Sequence, residues 1–70
     1  MDFGAALRSL RAGERLTRAG WNGRGQWITL FEPGTDDLLP YLCMSTVDGR
    51  QVPWVASHTD LLAADWSFAD

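Results

Sequence analysis

The chain has 70 residues and a mass of 7.8 kDa, room for a single domain spanning residues 1–70. Its net charge of −3 and pI near 4.8 exclude a general DNA or RNA binder, which needs a basic face. One cysteine and one histidine exclude both an intrachain disulfide and a structural zinc site of four N or S ligands.

Asp2 opens a helical pattern. Phe3, Ala6, Leu7 and Leu10 fall at i, i+3, i+4 and i+7, which is one face of a helix over about 3–12. Asp2 is suited to N-cap it, and Gly13 to end it. Residues 14–18 alternate polar and apolar around Leu16 and predict a short strand. The stretch Ala19-Gly20-Trp21-Asn22-Gly23-Arg24-Gly25 is a tight loop rich in residues that tolerate positive φ. Gln26–Phe31, with β-branched, aromatic and aliphatic residues, is a strand.

Glu32-Pro33-Gly34 turns the chain, and the acidic Thr35-Asp36-Asp37 keeps it at the surface. The chain is extended again from Leu38 to Thr46. Asp48-Gly49 signals a hairpin with a type I′ turn, joining Tyr41–Val47 to Arg50–Trp54. Pro53 marks the second of these strands as short or at an edge. Ser57 and Thr59 are both N-cap candidates, and Ser57-His58-Thr59-Asp60 has capping-box spacing. A short helix over Leu61–Ala64 and a closing strand over Trp66–Phe68 follow. The expected fold is α+β: a small twisted antiparallel sheet of four to five strands, with an N-terminal helix and a short helix before the last strand.

Little here points to catalysis. Cys43 lies between Leu42 and Met44 in a strand, the setting of a small buried hydrophobe. His58 stands just ahead of a helix. No two carboxylates are forced together by spacing, and no phosphate-binding Gly motif of the P-loop or dinucleotide type is present. No catalytic residue, metal ligand or cofactor is assigned, and the chain is read as a binding protein and not as an enzyme.

The features that favour binding are clearer. Trp21 sits in a Gly-rich loop, as a lid folded back on the core or as a platform on which a nucleobase stacks. Arg24, three residues on, can pair bidentately with a phosphate. Trp54 stands at a strand end ahead of the polar run Ser57-His58-Thr59-Asp60, whose hydroxyls and carboxylate cap the helix or read a ligand. Trp27 and Trp66 belong to strands and are expected in the core or at a subunit contact. The charge is split: five arginines against Asp2 and Glu14 give residues 1–30 a net +3, while residues 31–70 carry −6. Arg8, Arg11, Arg15 and Arg18 are either a solvated face or, in the case of Arg15 and Arg18, which lie nearer the loop, the better candidates for the ligand side. No apolar run reaches the roughly 18 residues of a membrane helix, and no secretory leader pattern is present. A lone thiol fits a reducing compartment, and a cytoplasmic protein is expected.

Asp2-Phe3-Gly4-Ala5-Ala6-Leu7, Gly20-Trp21-Asn22-Gly23-Arg24-Gly25, Leu39-Pro40-Tyr41 with Met44, Asp48-Gly49, Val52-Pro53-Trp54 with Ser57, and Thr59-Asp60-Leu61-Leu62-Ala63 with Asp65-Trp66 stand in an order that resembles the second type of phage Thoeris anti-defence protein. The resemblance runs over nearly the whole chain and rests on the ordered set, not on any one motif. It implies a sponge: a homotetramer, a dimer of dimers, that holds cyclic nucleotide immune signals without cleaving them. Those signals are cyclised ADP-ribose isomers made by TIR-domain proteins and, in some members, CBASS cyclic dinucleotides in a separate pocket. It further implies that Trp21 and Asn22 line the base pocket with Arg24 near phosphate, and that Trp54, Ser57, Thr59 and Asp60 complete it, partly from a neighbouring subunit. This chain departs from the pattern in a short acidic stretch between Phe31 and Pro40 and in His58, where a Gln is common. The competing readings are a small protein-interaction module that blocks a host immune protein directly and, behind it, a nucleotide hydrolase.

Overall fold

The computed structural model describes residues 1–21 and 25–69. Five strands form one antiparallel sheet: β1 (Leu16–Arg18), β2 (Trp27–Phe31), β3 (Tyr41–Ser45), β4 (Gln51–Pro53) and β5 (Trp66–Phe68), in the order β4-β3-β2-β1-β5. Helix α1 (Phe3–Arg11) precedes them and the short α2 (His58–Leu62) leads into β5. The expected α+β architecture is therefore the observed one. The first four strands form a meander, and β5 returns to lie beside β1.

Asp2 caps α1, its Oδ1 accepting from the Ala5 N–H at 2.8 Å. The apolar stripe of α1 then seats on the sheet. Ala6 and Leu10 are fully buried against Leu16, Ile28 and Trp66, with Phe3, Leu7, Leu42 and Met44 around them. Register explains which strand residues share this face. Leu16 lies opposite Ile28 and Phe68, and Ile28 opposite Met44, so alternation turns these toward α1. The alternate residues Trp27, Thr29, Phe31, Tyr41 and Cys43 point to the other face. Among the described residues no helix packs on that second face. Phe31 and Tyr41 stay 43% and 42% exposed there, with ring centroids 5.2 Å apart. Cys43 is buried on it, as expected for a small hydrophobe.

Two local expectations are corrected. The β3–β4 hairpin is not a type I′ turn: no described non-glycine residue has a positive φ, and Gly49 alone carries it, at 84°. Gly49 N–H donates to Thr46 O at 2.9 Å and Thr46 N–H to Arg50 O at 2.7 Å. This is a three-residue connection, in which a turn is followed by one left-handed glycine. Asp48 keeps its negative φ and accepts from the Thr46 hydroxyl. Helix α2 also starts three residues earlier than the Leu-Leu-Ala-Ala run indicates. The capping box is complete: Ser57 Oγ accepts from Asp60 N–H at 3.0 Å and Asp60 Oδ2 from Ser57 N–H at 3.2 Å. The helix therefore begins straight after Ser57, and Thr59 lies inside it. Pro53 falls in β4, an outer strand, where its missing N–H breaks no interior ladder.

Candidate functional site

The site grows from an arginine on the wrong face. Alternation along β1 puts Arg18 on the same side as buried Leu16, and its side chain is only 11% exposed. A guanidinium removed from water needs carboxylates, and two reach it from the far end of the chain. Arg18 Nη1 donates to Asp60 Oδ1 at 2.7 Å and Nε to Asp65 Oδ1 at 2.8 Å. Asp65 Oδ2 also accepts from Gly20 N–H at 2.8 Å. Asp60 Oδ1 accepts a second donor, Trp21 Nε1, at 3.0 Å.

Asp60 thus serves three purposes. Its Oδ2 closes the capping box, its Oδ1 joins Arg18 to Trp21, and its backbone carbonyl accepts from Trp66 Nε1 at 3.0 Å. Among the described residues no fully buried side-chain N or O atom lacks a partner. The Asp60 carboxyl feels two opposed effects. Burial pushes it up, but the donors Trp21, Arg18 and Ser57 outweigh that and hold it below the ordinary value of 3.8. The Arg18 hydrogen bond likewise holds Asp65 low. Hydrogen bonds to Asp65 and Asp60 strengthen Arg18's hold on its proton.

Above this network stand the aromatic rings. Trp66 is the buried hub at 2% exposure. Phe3 and Trp21 lie at centroid distances of 5.4 Å from it and Trp54 at 5.9 Å, the two indoles edge-on. Trp21 and Trp54 are 6.4 Å apart and half-buried. Trp21 therefore folds back as a lid on the core while keeping part of its ring in solvent.

The structure brings Trp21, Trp54, Ser57 and Asp60 together, with Thr59 exposed on the adjoining turn of α2. Asn22 and Arg24 lie outside the described residues. Arg18 and Arg15 are corrected. Arg18 is held inside the protein by Asp60 and Asp65, so its charge is already matched. Arg15 is on the sheet's second face, its guanidinium carbon 5.0 Å from the Trp27 ring centroid. Of the tryptophans expected in the core or at a contact, Trp66 is core and Trp27 half-buried on that second face.

A family model described as the Thoeris anti-defense 2-like domain matches residues 1–69. The chain is also 32% identical, over 81 aligned positions, to Thoeris anti-defense 2 of Bacillus phage SP01; the match covers 94% of this chain and 91% of that protein. The chain belongs to the Thoeris anti-defense 2-like family.

For this Thoeris anti-defense 2-like protein, sequence reasoning assigned Asp65 no role of its own and Gly20 only that of a loop glycine. The available signal was Arg18 itself, an arginine at an inward strand position that demands acidic partners. A concavity of about 440 Å³ lies elsewhere, between α1 and the start of β3, lined by Leu7, Leu10, Leu30, Leu39 and Leu42 with Arg11. Its wall is apolar, and the polar chemistry gathers instead around Trp21. Among the described residues no three His, Cys, Asp or Glu side chains converge as a metal-holding group. No described helix is long and apolar enough to cross a membrane.

Proposed function

We propose that this protein captures cyclic nucleotide immune signals in the host cytoplasm and holds them uncleaved. The first expected class is the TIR-made cyclised ADP-ribose isomers, with CBASS cyclic dinucleotides as a further one. The observation that carries the reading is the pair of half-buried indoles, Trp21 and Trp54, beside the exposed hydroxyls of α2, in a chain of the Thoeris anti-defense 2-like family. A planar base stacks on an indole face for about 1–3 kcal/mol. Arg24 and Asn22 join the pocket in this reading, on the strength of sequence alone.

Capture is tested by incubation with the TIR-made signal, filtration, then heating of the protein. The filtrate should be depleted, and heating should release the signal chemically intact. An undepleted filtrate, or an altered product after heating, overturns the reading. Trp21→Ala should weaken capture by about 1–3 kcal/mol. It should also lower the melting temperature, because the indole packs on Trp66 and donates to Asp60.

The proposed assembly is a homotetramer, a dimer of dimers, with pockets shared between subunits. The uncovered second face of the sheet, with Phe31 and Tyr41 exposed, supports association. Sedimentation equilibrium should give four times the chain mass of 7.8 kDa; a monomer mass at micromolar concentration refutes this assembly.

A further inference from the structure

We propose that Arg18 is a positioning residue: by tying Asp60 to Asp65 it sets the angle of the Trp21 ring and the entry into the Gly-rich loop, and so shapes a pocket that it does not itself line. The inference rests on the capture reading above for its ligand half; the clamp itself is tested without ligand.

Two of the hydrogen bonds that hold Trp21 and its neighbour Gly20 end on a carboxylate that this one guanidinium ties down. The indole edge is fixed through Nε1 to Asp60 Oδ1, the oxygen that also accepts from Arg18 Nη1. The main chain is fixed twice, by Gly20 N–H to Asp65 Oδ2 at 2.8 Å and by Trp21 N–H to Arg18 O at 3.3 Å. Asp60 and Asp65 lie on either side of the end of α2, and Arg18 spans both with its planar fork. A lysine is a point charge on a flexible stem and cannot reproduce that two-sided grip.

The clamp is also packed tightly onto the loop. A Cβ on Gly20 would stand 3.0 Å from Arg18 Nη2 and 3.1 Å from Asp65 Oδ2, closer than ordinary contacts, so a side chain at residue 20 pushes directly on the fork and on the carboxylate it grips. The arrangement limits what the platform can read. Trp21 has one donor, and it is spent on Asp60. Both Asp60 oxygens are engaged as well. A ligand here meets the face of Trp21 and not its N–H, so recognition by this residue is of ring shape, while polar selection falls to other groups.

The test uses the full chain as wild type, Arg18→Lys, Arg18→Met and Gly20→Ala, each at a temperature where circular dichroism shows it folded. The readouts are hydrogen exchange of the Trp21 indole N–H by NMR, the near-ultraviolet signal of the tryptophan cluster, and capture of the TIR-made cyclised ADP-ribose isomer. In folded Arg18→Lys the Trp21 indole N–H should exchange at least tenfold faster, the near-ultraviolet signal should fall, and capture should weaken about tenfold. Gly20→Ala should do the same with the charges intact. Unchanged indole exchange in both folded variants overturns the clamp. Faster exchange with undiminished capture overturns its role in shaping the pocket. Should wild type itself fail to capture the isomer, the capture reading and the pocket role fall together, while the exchange rates still decide the clamp. If Arg18→Met does not fold, the lysine and alanine variants carry the decision.

Discussion

Trp66→Ala should be the most damaging single substitution in the chain, removing about 3–5 kcal/mol. The indole is 2% exposed and touches every part of the core that matters to the site. Phe3 comes from α1, Trp21 from the loop and Trp54 from the end of β4, all with ring centroids within 5.9 Å. Its Nε1–H donates to Asp60 O, and its backbone N–H to Met1 O at 3.1 Å. Truncation would leave a large cavity and strip the carbonyl of Asp60 of its donor. Domain stabilities begin near 5 kcal/mol, and a 70-residue chain sits toward that end. The variant is therefore expected to be largely unfolded at 37 °C. Urea titration followed by far-ultraviolet dichroism checks this; a midpoint within about 0.5 M of wild type would contradict the hub assignment, given urea slopes of about 1 kcal/mol/M for small domains.

Asp60→Ala should cost about 3 kcal/mol, the lower end for breaking a buried ion pair, since Asp65 still neutralises part of Arg18. The same change opens the capping box and frees the Trp21 indole N–H. Asp60→Asn should cost less, because the amide oxygen still accepts from Trp21. The acid limb separates charge from packing. The Asp60 and Asp65 carboxyls are held below 3.8 in the folded protein and return to about that value when it unfolds. Their contribution is complete well above pH 4 and disappears as pH falls through 3.8 and on through the lower folded values. Wild type should lose stability over that window, and Asp60→Asn should lose less of it. Thermal melts between pH 2.5 and 6 decide the matter: parallel curves for the two proteins would mean that the Asp60 charge is not what the network stabilises.

The elements with local signals were legible in the sequence. Leu7 and Leu10 with Asp2 announced α1, and the Ser57–Asp60 spacing announced a capped helix. The strands followed from their alternation or their apolar runs. The connection at Asp48-Gly49 was legible as a hairpin but not in its turn type, because the same dipeptide serves both a two-residue and a three-residue loop. The start of α2 was misplaced for a related reason: apolar residues drew attention to Leu61–Ala64, while the cap at Ser57 sets the boundary. Four of the residues named for a ligand from the sequence come together in the structure, but the wiring between them was not legible. Trp21, Trp54, Ser57 and Asp60 were named from loop position and local polarity. Nothing local pairs Arg18 with Asp60 and Asp65, which are 42 and 47 residues away. That pairing exists only because β5 returns beside β1, and it turned an arginine expected to meet a ligand into one that meets carboxylates.

The return of β5 also sets the order in which the molecule assembles. Strands β1 to β4 pair with neighbours in sequence and close short loops, which is fast. The Trp21–Asp60 and Arg18–Asp65 bonds, separated by 39 and 47 residues, must wait until the C-terminal segment crosses the sheet and docks, at the larger entropic cost of a long closure. The hydrogen bonds of the candidate site thus depend on the docking of the C-terminal segment. A site of that kind gains from whatever fills it, since an occupant bound only to the closed form adds its binding energy to the docking of β5.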